Sequence, residues 1–114
     1  MRFALLMYAD PDRTLAMTAS ELETVMAKHT TLGEELIASG ELVGGDGLAL
    51  PADTVTLREE GSSVGPLVPG VEHLTAYYLV ECADQDRAVA IGDQLLDFHV
   101  TAVEVRGIHD TVSS

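Results

Sequence analysis

The sequence is poor in basic residues, and this shortage excludes one class of partner. Six lysines and arginines stand against 19 aspartates and glutamates, which gives a formal charge of -13 over 114 residues. A chain this acidic repels a phosphate backbone and offers no basic stripe that could release its counterions. We therefore expect no nucleic-acid partner and interpret the acidity mainly as a solvated surface.

Cysteine is nearly absent as well. Cys82 is the single one, so one chain can form neither an intramolecular disulfide nor a thiolate metal cluster. Its place beside Glu81 in an apolar segment predicts a high pKa and an inert thiol. No nucleophile elbow, phosphate-binding loop or metal-ligand spacing is present. The sequence predicts no cofactor, no metal and a reducing cytoplasm as the location.

Long hydrophobic runs are also missing. The opening "MRFALLMYAD" has the length of a strand, well below the roughly 20 apolar residues of a spanning helix, and ends in Asp-Pro without a small-residue cleavage site. We expect neither a signal peptide nor a membrane anchor. Apolar residues make up 46% and charged residues 22%, with no repetitive tract, which predicts one globular domain over residues 1–114.

The first half of the chain predicts a strand, a long helix and a second extended segment. Residues 2–9 are mostly apolar, as in a covered strand. Thr18 and Glu21 have the spacing of a capping box, and Gly40 can end the helix that this box begins, so we predict a helix over residues 19–39. Its apolar stripe comprises Leu22, Val25, Met26, Leu32, Leu36 and Ile37. "LVGGDGLAL" then resumes extended structure, with glycines that permit a bulge.

The second half repeats this order around a hairpin. "TVTLREE" alternates with Thr54, Thr56 and Arg58 on the expected wet side, and residues 60–63 have the composition of a turn. "HLTAYYLVECA" is the strongest strand signal and should be central. A helix capped by Asp84 and a last strand over "VTAVEVRGI" follow. The class is α+β, a ferredoxin-like split βαβ with an extra hairpin.

A sheet with helices on one face leaves its other face wet or covered by a partner. The many small residues and few large aromatics favour the covered face. We predict a homodimer that packs sheet against sheet through the open face.

His29 is the main candidate for chemistry. It follows Val25 by four residues and precedes Leu32 by three, so it should face the sheet with the apolar stripe. Burial beside a carboxylate would bring its pKa near neutrality, as proton transfer requires. The alternative is a packed imidazole that a backbone carbonyl or a tyrosine satisfies.

Four further side chains could complete a site. Tyr8 and either Tyr77 or Tyr78 could bring a hydroxyl to that imidazole as ligand-binding groups, although neighbouring strand residues face opposite ways and only one of the pair can look toward the helices. Asp46, in "GGDGL", could orient His29 or approach a ligand. Ordinary packing is the favoured explanation of the tyrosines, and a turn is the favoured explanation of the aspartate.

Several segments together resemble the YCII-related proteins, and in particular their DGPF branch. The resemblance implies a ferredoxin-like domain that pairs into a dimeric α/β barrel. A suspected active-site histidine of that family stands eleven residues before a glycine, as His29 stands before Gly40, and works with an acidic residue; Asp46 lies where relatives often have Glu or Asp. The segments that carry the resemblance are "RFALLMYAD", "VMAKHTTLGEELIASGELVGGDGL", "AYYLV" and "AVEVRGI".

The chain departs from the branch at two places. Val64-Gly65-Pro66-Leu67 stands where Asp-Gly-Pro-Phe would fall, and Thr75-Ala76 precedes the tyrosine pair where relatives have two glycines. The resemblance leads to two hypotheses. The first is cofactor-free acid-base catalysis of lyase or isomerase type on a small organic ligand by His29 and Asp46. The second is a non-catalytic ligand- or protein-binding dimer with a regulatory role linked to alternative sigma factors.

Overall fold

The structure, a computed structural model, describes residues 1–110 and residue 112. It contains three α-helices, six strands and a short 3-10 turn at Pro51–Asp53 within that part of the chain. In chain order the elements are β1 (Arg2–Ala9), α1 (Pro11–Leu15), α2 (Ala19–Ala38), β2 (Leu42–Gly47), β3 (Val55–Arg58), β4 (Gly61–Val64), β5 (His73–Glu81), α3 (Gln85–Leu95) and β6 (Ala102–Gly107).

Four strands form one antiparallel sheet in the order β2-β5-β1-β6, and β3 and β4 form a separate two-stranded hairpin. The β1-α2-β2 unit has β5 between its two strands, and the β5-α3-β6 unit has β1 between its own. This interleaving makes the α+β class compatible with a ferredoxin-like fold. The prediction that the "HLTAYYLVECA" strand is central is confirmed.

The core lies between one face of this sheet and the helices. Alternate residues of β1 are buried, and they pack with the apolar side of α3. Gly92 of α3 permits this packing, because a Cβ atom there would stand 3.2 Å from Val105 of β6. The glycine that weakens the helix thus brings it close to the sheet. The buried core comprises Phe3, Leu5, Met7, Leu32, Leu36, Val80, Cys82, Ala88, Ile91, Leu95 and Phe98.

Helix α2 begins and ends as its sequence predicts. The Thr18 hydroxyl accepts from the Glu21 N–H, the Glu21 carboxylate accepts from the Thr18 N–H, and Gly40 adopts a φ of 77° just beyond the C-cap. The predicted apolar stripe is only partly covered, however. Leu32 and Leu36 are its buried members, whereas Leu22, Met26 and Ile37 are exposed. The core therefore receives the second half of the helix, and the first half is left largely uncovered.

Three local predictions were wrong. Residues 61–64 form strand β4 opposite β3, and the turn lies one step earlier at Glu59 and Glu60. The face of β3 is reversed, because Thr56 is buried and donates to the Gly65 carbonyl at 2.8 Å while Val55 and Leu57 are exposed. Alternation identifies residues that share a face, but it does not say which face is covered.

The third wrong prediction is the turn after β1, where the structure has the short helix α1. The Asp10 side chain accepts from the Asp12 N–H, and Pro11 occupies the first helical position. Both features favour a helix start. With regard to membranes, none of the helices within the described part of the chain is long and apolar enough to span one.

Candidate functional site

His29 and Tyr78 form a hydrogen-bonded pair between α2 and the sheet. His29 Nδ1 and the Tyr78 hydroxyl lie 2.6 Å apart, and the two rings are nearly parallel with centroids 5.8 Å apart. Helical spacing turns the histidine toward the sheet, and strand alternation turns Tyr78 toward the helices. Of the tyrosines that the sequence proposes, Tyr78 is the one that reaches the imidazole.

Phe98 also contacts the imidazole. Its ring meets His29 edge to face, with centroids 4.4 Å apart, and its side chain is buried. Such a contact between aromatic rings fixes the ring plane while leaving the ring nitrogens free for hydrogen bonds. Sequence reasoning missed Phe98, because it follows α3 in an irregular segment whose position no periodic pattern predicts.

The His29–Tyr78 pair lies on the wall of a cavity of about 380 Å³. This volume is in the lower part of the range of small-molecule pockets, roughly 300 to 1,000 Å³. Residues of α2, β2 and β5 form the walls: Met26, His29, Gly33, Leu42, Gly45, Asp46, Gly47, Ala76, Tyr77 and Tyr78. Met26, His29 and Gly33, in the middle part of α2, form one side of this cavity.

Both members of the pair favour their neutral form. Burial disfavours the charged form of each ring, so it lowers the pKa of the His29 imidazole and raises the pKa of the Tyr78 phenol. The sequence suggests a carboxylate next to the imidazole. Among the residues that the structure describes, no carboxylate forms a hydrogen bond with the His29 ring. The site is a neutral donor and acceptor pair, and its polarity depends on which ring nitrogen carries the proton.

Asp46 lies on the other face of the sheet. Its Oδ2 accepts a hydrogen bond of 2.6 Å from the Tyr77 hydroxyl, and this bond raises the pKa of the Tyr77 phenol. Tyr77 and Tyr78 point to opposite faces because they are adjacent in β5. The carboxylate is therefore paired with Tyr77, and it does not orient His29.

Tyr8 is also on the open face of the sheet. It alternates with the buried Met7 in β1, and its hydroxyl donates to Glu104 Oε1 at 3.3 Å. Its pKa is raised, first by burial and then by the charge of Glu104. The structure thus sorts the four predicted partners of His29 into one that contacts it, Tyr78, and three on the opposite face, Tyr8, Tyr77 and Asp46.

Glycines leave space in two walls of the cavity. A Cβ atom at Gly33 of α2 or at Gly47 of β2 would meet nothing within 4 Å. Gly45 differs, since a Cβ atom there would stand 2.7 Å from the Tyr77 carbonyl oxygen. Sequence reasoning missed Gly33, although a glycine in the interior of a helix, four residues after the candidate histidine, is a signal that something other than helix stability holds it there.

No group of three or more His, Cys, Asp or Glu side chains suited to a metal ion occurs within residues 1–110 and 112. Cys82 is buried, and burial raises the pKa of its thiol. Within the described residues, we therefore find no set of metal ligands next to the His29–Tyr78 pair.

The fold and the site together define a class: a small α+β protein with an antiparallel sheet and a cavity beneath its first long helix. The family model for the YCII-related domain matches residues 1–109 of the chain. The protein therefore belongs to the YCII-related family. It is also 29% identical over 93 residues to an uncharacterised protein of Rhizobium meliloti (strain 1021), a match that covers 78% of this chain and 75% of that one.

Proposed function

We propose that the protein binds a small organic molecule in the cavity beneath α2 and moves a proton on it with His29 and Tyr78, as a lyase or isomerase without a cofactor. The observation that carries this proposal is the 2.6 Å hydrogen bond between His29 Nδ1 and the Tyr78 hydroxyl on the cavity wall. A paired acid and base within hydrogen-bond distance is the arrangement that proton transfer requires.

The neutral state of both rings fits this role. When Nδ1–H donates to the tyrosine oxygen, Nε2 of His29 is unprotonated and can accept a proton from a ligand, while the Tyr78 O–H can donate to an oxygen that gains negative charge. Removal of a proton next to a carbonyl group is the reaction that this arrangement serves best. The Phe98 ring supports it by holding the imidazole plane.

The experiment is a screen for deuterium incorporation from D₂O into small carbonyl compounds, read by mass spectrometry. We expect incorporation by the wild type into at least one compound, and a loss of about 10²- to 10⁴-fold in His29→Gln, since general acid-base groups contribute that much. Tyr78→Phe should also lose rate. Tyr8→Phe is the matched control, because Tyr8 lies on the open face of the sheet, bonds to Glu104 and does not line the cavity, and it should keep the wild-type rate.

Retention of incorporation in His29→Gln would contradict the proposal. A variant that unfolds gives no information, so each is first compared with the wild type in urea unfolding. His29→Gln removes a half-buried ring, and we expect it to stay within about 1 to 2 kcal/mol of the wild type.

A non-catalytic binding function is the second candidate, and the pairing of Asp46 with Tyr77 favours it, because the Asp46 carboxylate is then not available to raise the basicity of His29. A regulatory role linked to alternative sigma factors belongs to this candidate and depends on the resemblance to the DGPF branch. The non-catalytic candidate predicts that ligands bind in the cavity, and that neither the wild type nor His29→Gln catalyses deuterium incorporation into them.

We further propose that the protein is a homodimer through its open sheet face, in the manner of a dimeric α/β barrel. The chain has a radius of gyration of 15.3 Å, against about 13 Å for a compact chain of this length. Its accessible surface is 7589 Å², about 1,600 Å² more than a monomer of its mass normally exposes. This excess exceeds the roughly 800 Å² that each partner buries in a standard interface.

The chemistry of the open face supports the same proposal. Small, aliphatic and tyrosine side chains of the central strands form it. Val55, Leu57 and Val64 of the separate hairpin are exposed as well. A second copy is the partner that these apolar side chains fit. The single buried cysteine is consistent with a cytoplasmic location for the assembly.

The dimer is tested by light scattering on the purified protein, with Leu6→Asp as the variant. Leu6 lies in the middle of β1 on the open face, opposite Tyr77 and Glu104. We expect twice the chain mass of 12.1 kDa for the wild type and the chain mass for Leu6→Asp. Ile37→Asp, on the exposed side of α2, should remain dimeric. Since each chain carries a charge of -13, added salt should tighten the dimer. A monomeric wild type would refute the proposal.

A further inference from the structure

We infer that the cavity beneath α2 selects an uncharged ligand with a flat apolar body and one O–H or N–H group, and that it rejects both anions and cations. This inference rests on the proposed function for the site and adds the chemical class of the ligand to it. Its basis is the charge and shape of the walls that surround the His29–Tyr78 pair.

The walls contain no side chain with a permanent positive charge. None of the residues that line the cavity is a lysine or an arginine. Lys28 is the next residue to His29 in α2, but its Nζ is held at the C-terminal side of α3, 3.1 Å from the Asp97 carbonyl oxygen and 3.5 Å from its carboxylate. The other basic side chains lie elsewhere in the fold: Arg2, Arg13, Arg58, Arg87 and Arg106.

Helix dipoles do not replace the missing cation. His29 follows the first residue of α2, Ala19, by ten positions, which corresponds to about 15 Å along the axis. The positive end of a helix acts only over its first turn. A carboxylate or phosphate that entered the cavity would therefore lose part of its water without gaining a charged partner, which is unfavourable.

A cation is disfavoured for a related reason. The single acidic residue of the lining is Asp46, and its carboxylate is bound to the Tyr77 hydroxyl on the far side of the sheet. The imidazole cannot offer a negative charge, and burial holds the Tyr78 phenol in its protonated form. An uncharged hydroxyl or amide loses the least free energy on leaving water, because the His29–Tyr78 pair can both donate a hydrogen bond to it and accept one from it.

The shape of the cavity indicates the rest of the ligand. Met26, Leu42 and Ala76 supply apolar contact, and the missing side chains of Gly33 and Gly47 leave open space on two walls. A wall without side chains can approach a flat ring closely. Gly33 is therefore the residue that we expect to set the size of the ligand.

The experiment measures binding of three probes that share one ring and differ in charge: benzyl alcohol, benzoate and benzylamine. The readout is the chemical shift of the His29 ring protons at pH 7, with His73 as an internal control, because His73 bonds to the Gly70 carbonyl and does not line the cavity. We expect benzyl alcohol to bind at millimolar concentration, and at least about tenfold more tightly than either charged probe.

Two substitutions at Gly33 test whether the probes bind in this cavity. Gly33→Leu fills the cavity from α2 and should reduce binding of benzyl alcohol by at least about tenfold, whereas Gly33→Ala should retain most of it and shows that the helix tolerates a side chain there. Equal or tighter binding of benzoate or benzylamine overturns the inference. So does unchanged binding in Gly33→Leu, or the absence of binding by all three probes.

The two proposals fail separately. Selective binding of benzyl alcohol without deuterium incorporation into any compound leaves the ligand class standing and removes the catalytic proposal. Turnover of an anionic compound that is lost in His29→Gln keeps the catalytic proposal and overturns the ligand class.

Discussion

Lowering the pH from 7 to 3 should loosen the attachment of β2 to α3, because an ionised carboxylate joins them. Glu41, just before β2, accepts hydrogen bonds from Arg87 Nη2 at 2.8 Å and Arg87 Nε at 2.9 Å, and a third from the Ser39 hydroxyl at 2.8 Å. The bonds from Arg87, and then the one from Ser39, favour the charged form and lower the pKa of Glu41 from 4.5 to about 2. A fall in pH removes this charge and, with it, the pair.

The size of the effect follows from that pKa. A carboxyl group whose pKa is depressed by folding stabilises the protein fully above its unfolded pKa, and this stabilisation is lost as the pH falls from about 4.5 to about 2. The full depression corresponds to about 3.4 kcal/mol, of which about 2 kcal/mol would be lost at pH 3. Because the Arg87 side chain is 41% exposed and that of Glu41 16%, solvent screening should reduce the loss at pH 3 to about 1 kcal/mol.

Urea unfolding at pH 7 and pH 3, at one protein concentration, measures this loss. Arg87→Met leaves Glu41 with a more ordinary pKa. Between pH 7 and pH 3, the free energy of unfolding should therefore fall by about 1 kcal/mol less in this variant than in the wild type. The many other carboxyl groups titrate in both proteins, and their contributions cancel in the comparison. Arg58→Met, in the exposed hairpin, should behave like the wild type. The reasoning is refuted if Arg87→Met and the wild type lose the same amount.

Three backbone positions give further predictions, all measured by urea unfolding at pH 7. Gly33→Ala should raise the free energy of unfolding by about 0.8 to 1 kcal/mol, because the added methyl group meets no atom within 4 Å and alanine favours the helix; a decrease would show that the space is not free. His99→Gly should raise the free energy of unfolding by about 0.5 to 1 kcal/mol, since His99 has a φ of 61°, which strains a side-chain-bearing residue but not glycine. An unchanged free energy would show that His99 is not strained. Gly45→Ala should lower it by about 1 to 3 kcal/mol, because its Cβ atom would stand 2.7 Å from a backbone oxygen of Tyr77; a neutral result would mean that β2 shifts freely.

Much of the fold could be predicted because strong local signals and the global arrangement agree. The capping box at Thr18 and the glycine at position 40 fix both ends of α2. The wrong predictions concern features without such a signal. Helix α1 is five residues long, too short to display a helical period, and only its start, with Asp10 as the cap and Pro11 at the first position, reveals it. The hairpin reverses its expected faces because Thr56 finds a hydrogen-bond partner in Gly65, and alternation alone cannot foresee that partner.

The site was predictable up to the point where it depends on strand register. Helical spacing alone turns His29 toward the sheet, and alternation alone separates Tyr77 from Tyr78. Which tyrosine faces the helices is decided by the pairing of β5 with β1, which sets Tyr78 opposite the buried Leu5. Phe98 reaches the imidazole only through the packing of the segment after α3, so no pattern in its own neighbourhood could have shown it.

The position of Asp46 depends on a single extra residue in β2. Leu42 pairs with Val80, and the next pair is Gly44 with Leu79, so Val43 has no partner in the ladder and forms a bulge. Without this bulge, regular pairing would set Asp46 opposite Ala76 and direct its carboxylate into the cavity of His29. With it, Asp46 lies opposite Tyr77 and bonds to its hydroxyl on the open face. The three glycines of the strand permit the bulge, and the bulge is why the cavity has a neutral pair where a charged one would be expected. The uncharged ligand that we propose, and the lack of a carboxylate bonded to the imidazole among the described residues, therefore both follow from the same offset in strand register.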